Sequence, residues 1–127
     1  MTSPLIKKTL LSIAVATMLA PAAVFAADAP SGLSVKTTTD PFVKMSVSAF
    51  KKGEFQKSAD YSRRALKSGM SKKRQAVAYN NLCAAEAALG NVEAAGEACA
   101  SALELRPGYA VAEANQSALT VLLAENK

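Results

Sequence analysis

Histidine and tryptophan are absent from the 127 residues, and aromatic side chains make up only 6% of them. Without histidine the chain lacks the side chain most used as a general base near neutral pH and as a metal ligand. Scarce aromatics mean that a core has to be filled by small residues packed closely, and alanine is abundant enough to do so. The sequence carries no glycine-rich phosphate loop, no paired carboxylates at metal spacing and no nucleophile motif. No catalytic residue, cofactor or metal is therefore expected. Adjacent Ser71 and Lys72 read as a helix cap followed by a charged first turn. With 50% apolar and 20% charged residues, the composition is that of one ordinary globular domain.

The first segment has Lys7 and Lys8, an apolar run from Leu10 to Ala20, a break at Pro21, and small residues around Val24-Phe25-Ala26. This pattern predicts a secretory signal peptide over residues 1–26, cleaved near Ala26. The competing reading is an uncleaved anchor, because Thr9 to Ala27 is almost long enough to span a bilayer. Pro21 and the abrupt polar change at Asp28 favour removal, which places the chain in the periplasm or outside the cell. Residues 27–38, rich in Pro, Gly, Ser and Thr and without a sustained period, read as a flexible linker.

Everything beyond reads as helix, giving an all-α domain over residues 39–127. Thr39-Asp40-Pro41 is a helix start, and Gly53 ends that helix after about Lys52. A second helix is expected over Phe55 to Ser68, with Ala59, Ala65 and Leu66 inward and Arg63, Arg64 and Lys67 outward. A third spans about Lys72 to Leu89, a fourth Val92 to Leu105, and a fifth Tyr109 to about Glu125. Short turns between them imply antiparallel hairpins.

Sliding the chain by 37 residues pairs Phe42 with Tyr79, Met45 with Leu82, Gly53 with Gly90, Phe55 with Val92, Ala65 with Ala102 and Leu66 with Leu103. The same shift pairs Ser46 with Cys83 and Ser62 with Cys99, so two facing positions stay small in both copies. In the second copy, Ala76 to Tyr109, the residues Tyr79, Leu82, Gly90, Ala95, Ala102 and Pro107 stand at characteristic spacings. Here the chain resembles the tetratricopeptide repeat family. The first copy spans about residues 39–72, with Met70 where the repeat's terminal proline would fall, and the helix over about 109–125 looks like the family's capping helix. Glu86 departs from the pattern at a position that usually holds a large apolar residue. The resemblance implies a short α-solenoid with a concave groove; the alternative is a closed five-helix bundle.

Cys83 and Cys99 lie eight residues before and after a turn near Asn91, so an antiparallel hairpin brings them to one level. In an oxidising compartment they are positioned for a disulfide; the alternatives are two reduced, buried thiols or, less in keeping with their spacing, a redox pair.

In the family the first helix of each repeat lines the groove, and its peptide-contacting position falls on Lys44, Asn81 and, in the final helix, Asn115. Lys51 and Asn80 are neighbours on that surface. An asparagine amide both donates to and accepts from a peptide backbone, and a lysine meets a carboxylate. The partner expected is a segment of another protein or of a second copy of the chain. Charge is uneven as well: residues 36–74 hold 11 bases against 3 acids, and residues 75–127 hold 2 against 6. The basic half has patches at Arg63-Arg64-Lys67 and Lys72-Lys73-Arg74 that carry no interleaved stacking aromatics, which argues against nucleic acid. Its alternative role is attachment of a structural or self-associating envelope protein to anionic surfaces.

Overall fold

The computed structural model describes residues 28–127, so the proposed signal peptide over 1–26 lies outside the described residues. Five helices follow one another, α1 (Pro41–Lys51), α2 (Phe55–Leu66), α3 (Lys72–Ala88), α4 (Val92–Leu105) and α5 (Ala110–Glu125), with no strand among the described residues. The protein is all-α. None of these helices is long and apolar enough to cross a membrane.

Local chemistry accounts for most boundaries. The Asp40 carboxylate accepts from the amides of Phe42 (2.8 Å) and Val43 (3.1 Å), which have no partner within the helix, and Pro41 occupies a first-turn position that needs no N–H. Helix α2 stops two residues earlier than its pattern suggests. The Ser68 hydroxyl donates to the Ala65 carbonyl (2.7 Å), and the amides of Lys67 and Ser68 turn to carbonyls three residues back. Ser71 does occupy the N-cap position of α3, but its side chain makes no capping bond; its carbonyl accepts from Arg74 and Gln75 instead. Tyr109, expected as the first residue of the last helix, is its extended N-cap, buried under the Arg106 guanidinium 4.3 Å from the ring centre.

The 37-residue shift reappears in the hydrogen bonds. At the end of α1, Gly53 N–H reaches Phe50 O (3.0 Å) and Glu54 N–H reaches Ala49 O (2.9 Å); after α3, Gly90 N–H reaches Ala87 O (3.0 Å) and Asn91 N–H reaches Glu86 O (2.9 Å). Both are the paired bonds of a glycine-terminated helix, with φ of 76° at Gly53 and 82° at Gly90, a backbone region that a Cβ disfavours. Two stretches of chain 37 residues apart thus make the same turn. The levels above the turns match too. Cys83 and Cys99 are bonded, with Cα atoms 5.2 Å apart, and at the shifted positions the Ser46 and Ser62 hydroxyls are hydrogen-bonded at 2.6 Å.

Each helix packs against the next, α1 also touches α3, and α3 also touches α5. Neither α1 and α5 nor α2 and α4 meet. The odd helices therefore adjoin one another in a row, α1 to α3 to α5. Small residues make this possible: Ala65, Ala76, Ala78, Ala102 and Ala112 are fully buried beside Val43, and Ala84, Ala85, Ala95 and the two half-cystines are fully buried further along.

Glu86 is 2% exposed, yet it is satisfied. One carboxylate oxygen meets Arg63 on α2, and the other accepts from Asn91 Nδ2 at 2.7 Å. An ion pair between neighbouring helices thus takes the place of the apolar contact that the repeat pattern would put there.

Candidate functional site

Residues 28–38 are no free linker in the structure. After a turn at Ser31 and Gly32, residues 33–36 lie extended over α3 and α5, held by main-chain hydrogen bonds and apolar side-chain contacts, and this corrects the expectation of a flexible tether. The reason is non-local. Asn81 Oδ1 accepts from Lys36 N–H (2.8 Å), and Asn81 Nδ2 donates to Lys36 O (2.7 Å), so one amide satisfies both main-chain groups of one residue. Asn115 treats Ser34 in the same way, with Oδ1 accepting from its N–H (2.7 Å) and Nδ2 donating to its carbonyl (2.8 Å). Asn80 Nδ2 also donates to Ser34 O (3.1 Å), while Asn80 Oδ1 accepts from Asn115 Nδ2 (2.8 Å).

Ser34 and Lys36 are two residues apart, and in an extended chain residues at that spacing present their N–H and C=O groups to the same edge. The three asparagines therefore act as the neighbour that a strand edge would otherwise need. Their spacing on the helices achieves this: Asn80 and Asn81 are consecutive on α3, and Asn115 reaches across from α5. All three are fully buried, and no buried side-chain nitrogen or oxygen among the described residues lacks a partner. Each neutral bond stabilises by about 1 kcal/mol net, while an amide left buried and unpaired costs about 1–3 kcal/mol. The arrangement is stable only with a main chain, or water, in the groove.

The intervening side chains go to apolar surroundings. Leu33 packs against the cluster that contains Cys83, Ala95, Cys99 and Leu119 and also against the one that contains Phe50, Phe55 and Ala84; Val35 and Ala29 join the latter. Gly32 has φ of 93°, and a Cβ there would stand 3.2 Å from that of Ala118 on α5. By contrast the side chains of Ser34 and Lys36 face outward, and both residues are exposed.

Of the five residues singled out for recognition, Asn80, Asn81 and Asn115 are thus brought together, and Lys44 and Lys51 are not part of the cluster. Both lysines are exposed on α1, with Lys51 one residue before its C-cap. Burial of the asparagines was not legible in their helices, since its cause lies 45 and 81 positions away in the chain. What sequence reasoning missed is the ligand-like role of Leu33, Ser34, Val35 and Lys36. The alternation of apolar Leu33 and Val35 with Ser34 and Lys36 is the signal that points to an extended, half-buried segment.

No group of three or more Cys, Asp and Glu side chains that could hold a metal gathers among the described residues. No family model, curated protein or solved structure matches this chain.

Proposed function

We propose that the chain is an exported, non-catalytic interaction module of the tetratricopeptide type, which binds an extended segment of a partner protein in the groove formed by α3 and α5. One observation carries the reading. Three asparagines that helices would normally expose are buried, and their amides are arranged to hold the main chain of an extended segment on both its donor and acceptor groups. Side-chain amides that grip main chain bind many sequences in one conformation, which suits peptide recognition. The repeated hairpins and the row of odd helices support the family reading. The Cys83–Cys99 bond and the signal-like segment over 1–26 support export, because such bonds persist in oxidising compartments.

A photo-crosslinking residue placed at exposed Lys44, on the helix where α1 continues the row, tests this in producing cells. A defined adduct is expected, and Asn81→Ala with Asn115→Ala is expected to abolish it. An adduct unchanged by that pair of substitutions refutes the groove as the binding site.

The second reading, attachment to anionic surfaces, is favoured by a separate observation. Lys51, Lys52, Arg64, Lys67, Lys72, Lys73 and Arg74 are all exposed in the first half of the fold. Sedimentation with vesicles of anionic lipid, lost above about 0.3 M salt, is its expected signature, and absence of sedimentation at low salt rejects it.

A further inference from the structure

We infer that the groove is selective for segments of the form glycine, aliphatic, any residue, aliphatic, any residue, and that Gly32 to Lys36 is its own tethered occupant, which a partner must displace. This rests on the proposed interaction role and specifies the ligand.

Each part of the pattern has its cause in the groove. The residue before the first aliphatic is glycine because a side chain there would run into Ala118 and would have to adopt a positive φ. Leu33 and Val35 enter apolar surroundings where a charge would lose its hydration without finding a partner. Ser34 and Lys36 contribute main chain only, so their side chains are free to vary. None of these contacts requires the segment to belong to the same chain. Only Thr37 to Thr39 separate the held Lys36 from Asp40, the cap of α1. Such a short link keeps the segment at an effective concentration in the millimolar range, so that a free peptide of equal intrinsic affinity is outcompeted. A natural partner carries the same pattern and displaces the tethered segment through further contacts along α1.

The test uses the full-length chain and a fluorescent synthetic peptide with the sequence of residues 28–38. Two substituted proteins release the tethered segment: Leu33→Asp with Val35→Asp, and, more mildly, Gly32→Val. Circular dichroism and an intact Cys83–Cys99 bond establish that each is folded. Either folded release variant is expected to bind the peptide at least about tenfold more tightly than the unsubstituted chain, since competition in cis is removed. Adding Asn81→Ala and Asn115→Ala is expected to abolish binding, and a peptide carrying the Gly32→Val change or a scrambled order is expected to bind at least about tenfold more weakly. Equal binding by released and unsubstituted proteins, equal binding of the scrambled peptide, or no binding to any folded release variant overturns the proposal. So does a concentration-dependent dimer of the unsubstituted chain that the release variants lose, which assigns the groove to a second copy. If the peptide fails while the Lys44 adduct forms and depends on Asn81 and Asn115, the ligand pattern falls and the interaction role stands; if both fail, both fall.

Discussion

A second disulfide can be written into the first hairpin. Ser46 and Ser62 stand eight residues before and after Glu54, as Cys83 and Cys99 stand around Asn91, and the two hydroxyls are 2.6 Å apart in a fully buried site. Replacing both by cysteine closes a loop with the same sequence separation of 16 as the native bond. In the chain-entropy model a loop of that length stabilises by about 3 kcal/mol. Against this stands the loss of the bonds from Ser46 to Ser62 and to the Ser58 hydroxyl and carbonyl. These contribute about 1 kcal/mol net, because Ser58 keeps its own bond to the Ser46 carbonyl. A net gain of about 2 kcal/mol raises the melting temperature of a domain of this size by about 10 °C. Intact mass after oxidation should be four hydrogens below that of the fully reduced protein, and peptide mapping should find the pairs 46–62 and 83–99. Folded protein whose new thiols stay reactive under oxidant, or whose cysteines pair between hairpins, would refute the equivalence of the two hairpins.

Removal of the native bond by Cys83→Ala with Cys99→Ala should lower stability by about 3 kcal/mol, read as an earlier midpoint in urea with the helical signal retained in water. Glu86→Ala should cost about 2 kcal/mol, since Arg63 and Asn91 Nδ2 lose their shared acceptor; an effect within error on the urea midpoint would mean that the pair contributes nothing. Amide hydrogen exchange should be slow at Ser34 and Lys36 and fast at Val35 between them, with Asn115→Ala releasing Ser34 and Asn81→Ala releasing Lys36. Uniform exchange along the segment would count against the clamp. Burial raises the Tyr109 hydroxyl above its ordinary pKa of 10, and the neighbouring Arg106 only partly opposes this. Because the folded value is the higher one, the contribution is whole below pH 10 and is lost as pH rises through the folded value. Thermal melts of the protein should therefore fall above pH 10, and Tyr109→Phe should reduce that fall.

Helices and hairpins were legible because their causes are local. Asp40 caps amides two and three residues away, Gly53 and Gly90 close turns with carbonyls at most five residues back, and Cys83 and Cys99 need only a turn midway between them to meet. Glu86 was legible only as an anomaly, because its partner Arg63 lies on another helix, 23 residues earlier.

The candidate groove divides along the same line. That Asn81 and Asn115 are polar groups suited to main chain can be read from their chemistry. What they hold cannot, because the hydrogen-bond partners of Ser34 and Lys36 lie 81 and 45 positions away, so the alternation of Leu33 and Val35 names no surface to pack on. By itself the amino-acid order determined five helices, their turns and the level at which the two cysteines face each other, all set by hydrogen bonds and packing over short stretches of chain. Only the tertiary structure decided that Gly32 to Lys36 become ordered and that Asn80, Asn81 and Asn115 become buried, since each supplies the hydrogen-bond partners that the other lacks and they meet only after α3 and α5 are side by side.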